Sequence, residues 1–425
     1  MAYQSVNTIE VIAWGQRVGA VALDLSSGYY AFEYSPRWRR QGIELAPLTM
    51  PTAQAVYIFP LLPEATFKRL PALLADALPD DFGNALIDAY LAREGVPKEA
   101  ITPLDRLAYM ANRAMGALEF RPARGPRKKA TAVHLNELVA GSRQALSGRF
   151  GGDQETEAAI LNLIQVGTSA GGARAKAVIA WNPKTEEIRS GQFPADSEFE
   201  YWLLKFDGVG KDHELGVGGH YGRIEYAYHL MAQAAGITMT SCRLLEENGR
   251  AHFMTRRFDR DDTEKHHIAT LCSMAQLDYK QRATHDYAQY FQVIQRLDLG
   301  PGALEEGFRR MVFNVIASNC DDHTKNLSFL LKKNADWQLA PAYDVTHAYN
   351  PKGDWTYQHL MAVNGKFKAI THDDLIACGD RFKVPRMKEI IAQVQAAIAN
   401  WSNFATEAGL PEAEAEKISE DFQRL

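Results

Sequence analysis

Eight residues, Asn319-Cys320-Asp321-Asp322-His323-Thr324-Lys325-Asn326, place two acids, a histidine, a lysine and two asparagines between two strongly apolar segments. Upstream, Leu304, Phe308, Met311, Val312, Val315 and Ile316 fall on one face of a helix expected over 303–318. Downstream, Leu327-Ser328-Phe329-Leu330-Leu331 has the length and character of a buried strand. A core-facing helix and a core strand hold this octet at the edge of a hydrophobic core. Charges so placed make poor packing and a good site.

The spacing Asp321-x-x-x-x-Asn326 suits phosphoryl transfer. In protein kinases one Asp accepts the substrate hydroxyl proton, and an Asn five positions later in the same loop holds a magnesium ion. Eighteen residues beyond Asn326, Leu339-Ala340-Pro341-Ala342-Tyr343-Asp344-Val345 places an acid after a short strand. Magnesium takes oxygen ligands, one or two carboxylates beside substrate phosphates, and Asp344 with Asn326 meets that need. Ser169-Ala170-Gly171-Gly172-Ala173-Arg174-Ala175-Lys176 lies between the strand-like runs Ile160–Val166 and Ala177–Trp181. Its glycines let backbone N–H groups approach phosphate oxygens. A β-like run follows the lysine, so this reads as strand–loop–strand and not as a Walker loop.

Lys205 stands inside the apolar run Tyr201-Trp202-Leu203-Leu204-Lys205-Phe206. A buried ammonium must be paired or functional. A phosphate-holding lysine oriented by a helix glutamate fits, and Glu225, near the start of the next helix, is the candidate partner. Arg256-Arg257-Phe258-Asp259-Arg260 follows Phe253-Met254 and reads either as an adenine-binding hinge or as a surface charge run. His266-His267 beside Glu264 lacks further ligands at metal spacing.

Composition bounds the alternatives. The chain has 425 residues and a net charge of −5, with 46% hydrophobic and 23% charged residues, which excludes wholesale disorder and a uniformly basic nucleic-acid surface. Cys242, Cys272, Cys320 and Cys378 are too far apart in sequence for a CxxC site and fit a reducing, cytoplasmic setting. The N-terminal residues do not read as a secretory signal, and no apolar window is long enough to span a membrane.

Along the chain, residues 9–60 read as β-rich, with Val11–Trp14, Gly15 and Val18–Val21 as strand, turn and strand. A helix is expected over 82–94, with Asp81 as its N-cap and Gly95 past its end. The Pro-, Gly- and Arg/Lys-rich stretch 121–129 marks a boundary or long connection. From 286 onward the pattern is mainly helical, with Met387, Ile390, Ile391, Val394, Ile398 and Trp401 on one face near the end. The expected regions are 1–125, 126–260 and 261–425.

With these residues in order, the chain resembles the HipA family of bacterial serine/threonine kinase toxins over nearly its whole length. The carriers are Val18-Gly19, Tyr29–Tyr34, Leu-Pro-Asp-Asp-Phe-Gly at 78–83, Gly116-Ala117-Leu118, Ser169-x-x-Gly172-x-x-x-Lys176, Leu204-Lys205-Phe206, Arg257-Phe258-Asp259-Arg260, the Asp321–Asn326 loop and Tyr343-Asp344. The resemblance implies an α+β, protein-kinase-like two-lobed fold, with an N-terminal β-rich subdomain and a mainly helical C-terminal lobe. It implies ATP and Mg2+ as cofactors, Asp321 as catalytic base, and Asn326 and Asp344 as metal holders. His323, Lys325 and Tyr343 are implied at the nucleotide, as are Lys176, Lys205 and the covering loop Ala170, Gly171, Gly172 and Ala173. Arg256 and Phe258 are implied at the adenine hinge, and Ser169, with Thr168 beside it, at the autophosphorylation site. Arg256 stands where an acidic residue is usual in the family, and Arg174 where a glutamine is common.

The implied acceptor is a protein Ser/Thr, in a translation component such as an aminoacyl-tRNA synthetase. The implied partner is a HipB-like helix-turn-helix antitoxin, with DNA reached only through it and no membrane contact. Two other readings stand beside this one: a small-molecule kinase of related fold, and a non-catalytic kinase-fold partner of a DNA-binding antitoxin.

Overall fold

Trp14 and Gly15 both have positive φ, at 50° and 74°. Two successive left-handed residues make the tight turn that matches strand twist. They fold β1 (Thr8–Ala13) back onto β2 (Gln16–Leu23), and β3 (Tyr30–Tyr34), β4 (Val56–Tyr57) and β5 (Leu118–Arg121) complete an antiparallel sheet in the order β4-β3-β2-β1-β5. Gly19 is required by close approach: a Cβ there would lie 2.2 Å from the Glu33 carbonyl oxygen. Ile9, Val11, Val21, Phe32, Tyr34 and Phe120 are buried, so the β-rich reading of this region holds.

The computed structural model describes residues 3–125, 135, 137–139, 141–142, 174–192, 195–209 and 219–425. Thr168, Ser169, Ala170, Gly171, Gly172 and Ala173, the run Ile160–Val166 and residues 126–129 lie outside the described residues. The chain forms two units. The first comprises Met1–Gly210, Arg256–Ala269 and Leu331–Ala335, and the second Lys211–Thr255, Thr270–Leu330 and Asp336–Leu425.

Within the first unit, helix α1 (Asp81–Arg93) is capped by Asp80 and not by Asp81. Asp80 is extended, and its carboxylate accepts the Gly83 N–H at 2.7 Å, while Asp81 already belongs to the first turn. Three further strands of this unit are β6 (Lys176–Trp181), β7 (Ile188–Ser190) and β8 (Glu200–Lys205), with β6 antiparallel to both others. Every residue of β6 is buried.

The charge run at 257–260 is not a solvated surface. Asp259 is fully buried and accepts Arg257 Nε at 2.8 Å, Arg257 Nη2 at 2.6 Å, Arg260 Nη1 at 2.7 Å and the Gly116 N–H at 2.7 Å. Burial pushes its pKa up, but the two guanidiniums and these hydrogen bonds win and hold it well below the carboxylate range. Gly116, at φ +81°, belongs to the Gly116-Ala117-Leu118 signature and is fixed by this network.

In the second unit, helix α2 (Tyr221–Ala234) lies against the hairpin of β9 (Cys242–Glu247) and β10 (Arg250–Arg256). A Cβ on Gly222 would meet the Ala251 carbonyl oxygen at 2.0 Å, so only glycine fits this approach. Helices α3 (Tyr287–Arg296), α4 (Gly300–Ile316) and α5 (Met387–Ala399) form most of its remaining core, and strands β11 (Ser328–Leu331) and β12 (Trp337–Leu339) pair beside them. Tyr228 on α2 donates its hydroxyl to the Ala317 carbonyl at 2.6 Å, just past the end of α4. All four cysteines are buried free thiols. Among the described residues, no helix is long and apolar enough to cross a membrane.

His266 and His267 serve packing. His266 Nε2 lies 2.8 Å from Asp261, and His267 Nε2 donates to the Leu45 carbonyl at 3.0 Å. Burial lowers the His267 pKa to about 4. The unfolded chain takes up a proton near pH 6.5 that the folded chain refuses. This contribution to stability is therefore complete above pH 6.5 and declines as pH falls toward 4, by roughly 3 kcal/mol in total. Urea unfolding of His267→Gln should show a shallower loss of stability between pH 7 and pH 4.5 than the parent chain. Identical pH dependence in the two would refute the assignment.

Candidate active site

The polar octet begins where α4 stops. Ser318 is left-handed at φ +53°, and the Asn319 N–H bonds back to the Asn314 carbonyl at 2.9 Å, which closes the helix end. The helix therefore ends at Ile316, two residues before the expected 318. The Cys320 N–H then bonds the Ala348 carbonyl at 3.0 Å, and the Asn326 N–H turns back to the His323 carbonyl at 2.9 Å. From there the chain enters the expected strand, β11, which is buried throughout.

The two adjacent aspartates separate into different jobs. Asp322 is 2% exposed. Its carboxylate accepts the Tyr287 hydroxyl at 3.0 Å and the N–H groups of Leu360 at 2.8 Å and Met361 at 3.3 Å, and lies 3.0 Å from His359 Nδ1. Asn314 donates to the Tyr287 hydroxyl at 2.9 Å, and Asn319 donates to Asn314 Oδ1 at 2.9 Å. Burial opposes charge on His359, but Cys320 and Asp322 hold its pKa well above the ordinary value.

Asp321 turns the other way and keeps 36% of its side chain open. The Trp355 indole N–H donates to its Oδ1 at 2.7 Å, and His323 Nε2 lies 3.7 Å from the same oxygen. Its pKa is raised, chiefly because surrounding protein displaces water. Asp344 and Asp322 add to this, against His323 and the Trp355 hydrogen bond. The Asn326 side-chain amide donates to the Asp321 carbonyl at 2.7 Å, which fixes Asn326 and leaves its own Oδ1 as an acceptor.

Asn326, Tyr343 and Asp344 line one pocket together with Asp322, Asn319 and Arg310. Asp344 is left-handed at φ +53°, a conformation that non-glycine residues adopt at a cost and that recurs at functional sites. Among the described residues, no three His, Cys, Asp or Glu side chains gather as a self-sufficient metal cage. One carboxylate and one amide oxygen suit a magnesium ion that takes its other ligands from phosphate and water.

The Tyr343 hydroxyl is committed to the Lys325 carbonyl at 2.6 Å and to the Ser328 hydroxyl, so it braces the loop. Lys325 Nζ sits over the Tyr279 ring, 4.9 Å from its centroid, and the His323 ring lies 5.3 Å from the same ring. Glu225 on α2 is buried, which removes its reading as a solvated first-turn glutamate.

In the first unit, Lys205 ends β8 as expected and is buried. It stands directly opposite Lys176 in the β6–β8 register, so both side chains belong to one face. The Lys176 ammonium is 3.3 Å from Asp80, and both side chains are almost fully buried. This ion pair was invisible in the sequence, because the partners are 96 residues apart. Burial raises the Asp80 pKa and Lys176 opposes that rise. Arg256 is exposed, 3.5 Å from Glu200, and Phe258 is half-buried.

Sequence reasoning also missed Trp355, Tyr287 and His359. No local pattern links them to residues 321 and 322, 34 to 37 positions away.

The sequence matches the HipA N-terminal domain family over residues 9–121 and the HipA-like C-terminal domain family over 168–423. Among solved structures, one chain of the Shewanella oneidensis MR-1 toxin–antitoxin complex of HipA, HipB and operator DNA aligns with 97% of this chain and 94% of its own. The TM-score is 0.67 and the identity 17%. The proinflammatory kinase CtkA of Helicobacter pylori aligns with 52% of this chain and 88% of its own, at 14% identity and a TM-score of 0.35. A search of curated sequences gives no significant match. The fold class is the expected α+β one, with β-rich N-terminal sheets and helices toward the C-terminus, and it is the fold of the HipA chain in the Shewanella oneidensis complex.

Asp322→Ala should lower the unfolding free energy by about 3–5 kcal/mol, because it strands His359 and three donors in the core. Asp321→Asn should stay within about 1 kcal/mol of the parent. Denaturant midpoints of the two variants measure the contrast, and equal losses would contradict the division of roles.

Proposed function

The chain belongs to the HipA family, and from that premise we propose that it is an ATP- and magnesium-dependent kinase transferring the γ-phosphoryl group to a Ser or Thr hydroxyl of a protein. The observation that carries this reading is the partition of the two acids. Asp322 is consumed by structure, while Asp321 presents an open carboxylate in the loop that also places Asn326, with Asp344 near enough to raise its pKa.

In the proposed reaction, Asp321 orients the acceptor hydroxyl and takes its proton as the new O–P bond forms. The bond from the γ-phosphorus to the β,γ-bridging oxygen breaks, and ADP leaves. Asn326 and Asp344 would hold magnesium, which when bound neutralises charge on the β- and γ-phosphates. Lys205 is the residue we assign to the nucleotide phosphates. His323 Nε2 lies 3.7 Å from the Asp321 carboxylate, and on the family pattern we assign His323 and Lys325 to the nucleotide or its phosphates. Because the Tyr343 hydroxyl is occupied by the loop, its proposed role is to brace that loop. The assignments of Arg256 and Phe258 to the adenine, and of Ser169 or Thr168 to self-phosphorylation, rest on the family pattern.

The Shewanella oneidensis complex contains HipA, HipB and operator DNA. We extend the partner class to this chain: a DNA-binding antitoxin, with DNA engaged through it. The further proposals are a protein acceptor within translation and a cytoplasmic location.

Purified chain incubated with γ-labelled ATP, magnesium and cell lysate should label protein. A chelator should abolish the label, and Asp321→Asn should reduce it by roughly 10²–10⁴-fold while its stability stays within about 1 kcal/mol of the parent. Label confined to a small metabolite, or equal protein labelling by Asp321→Asn, would overturn the reading.

A further inference from the structure

The contact between Trp355 and Asp321 is not explained by packing alone. The indole nitrogen approaches Asp321 Oδ1 at 2.7 Å, and Trp355 itself is only half-buried. A deliberate arrangement delivers it. The Gly353 N–H bonds the Asn350 carbonyl at 3.0 Å, the Asn350 N–H bonds the Thr356 carbonyl at 3.2 Å, and the Lys352 N–H bonds Asn350 Oδ1 at 3.1 Å. The Asp354 carbonyl accepts from Arg282. Immediately beyond this closed loop, Thr356, His359, Leu360 and Met361 are buried, and the last three are gripped by Asp322. The neighbouring aspartate thus anchors the segment that carries the indole to Asp321.

We infer that Trp355 is a positioning residue for the acceptor-binding carboxylate: its indole N–H ties Oδ1, fixes the carboxylate plane and leaves Oδ2 for the substrate hydroxyl. This rests on the kinase reading of Asp321. The chemistry of the donor matters. Indole is a donor only, so it orients the carboxylate without competing for the proton that the carboxylate must accept. His323 is the alternative neighbour, and at 3.7 Å it is outside hydrogen-bond reach in this arrangement. The T-shaped packing of Trp355 on His323, with centroids 6.4 Å apart, keeps the three groups in register. Once the indole N–H is lost, Asp321 is free to rotate onto His323, where an ion pair would hold it away from the acceptor.

Trp355→Phe keeps an aromatic ring and removes the donor. In single-turnover self-labelling with γ-labelled ATP, the maximal rate should fall about tenfold or more, while the half-saturating ATP concentration stays within about twofold because no nucleotide contact is touched. In an Asp321→Asn background the same change should have no further effect on the residual rate, since the two residues act as one unit. A parent-like rate in Trp355→Phe, or an undiminished effect in the Asp321→Asn background, would overturn the inference. A second measurement does not depend on turnover. In chain labelled with 15N-tryptophan, the indole N–H signal that disappears in Trp355→Phe should move in Asp321→Asn. An unmoved signal would refute the contact even in an active enzyme, whereas a moved signal in a chain that transfers no phosphate would uphold the contact and reject the kinase reading.

Discussion

A carboxylate taken out of water must collect partners or lose its charge, and Asp322 collects them from two distant parts of the chain. Tyr287 comes from the start of α3, and the His359 ring and the Leu360 and Met361 amides come from one later segment. Asn314 and Asn319 extend the network to the end of α4. Since each partner is itself buried, the octet has little freedom to slide along the core. Asp321 is the preceding residue, and its backbone position follows from that anchorage. Its side chain is then left to point outward, where the Trp355 indole N–H donates to Oδ1, while the Asn326 amide donates to its backbone carbonyl.

The first unit meets the same requirement with cations. Lys176 and Lys205 face one another across β6 and β8, an arrangement that is unfavourable for like charges without an anion nearby. Asp80 supplies one to Lys176 while also capping α1, so a helix start and a strand start share one carboxylate. Arg257, Asp259 and Arg260 form a second buried set and pin the Gly116 turn.

Much of this was legible where a signal is local. The turn at Gly15, the aromatic strand at 30–34, the amphipathic α4 and the apolar β11 follow from patterns within a few residues, while Trp14, read as strand, belongs to the turn. The octet itself was legible, because polar residues between two apolar elements have few alternatives. The N-cap of α1 was misplaced by one residue, since Asp80 and Asp81 are both good capping residues and only backbone conformation separates them. Long-range partners left no trace: Trp355 for Asp321, Asp80 for Lys176, Tyr287 and His359 for Asp322. The charge run at 256–260 was ambiguous for a related reason, as burial of a charge depends on a partner such as Gly116 that is more than a hundred residues away.

The central claim is that Asn326 and Asp344 hold a divalent ion beside nucleotide phosphates while Asp321 serves the acceptor. Electron paramagnetic resonance of Mn2+ in the presence of a non-hydrolysable ATP analogue tests this directly. The account predicts one nucleotide-dependent Mn2+ per chain, weakened by roughly tenfold or more in Asp344→Asn and in Asn326→Ala but retained in Asp321→Asn. Full Mn2+ binding in Asp344→Asn, or its loss in Asp321→Asn alone, would contradict it.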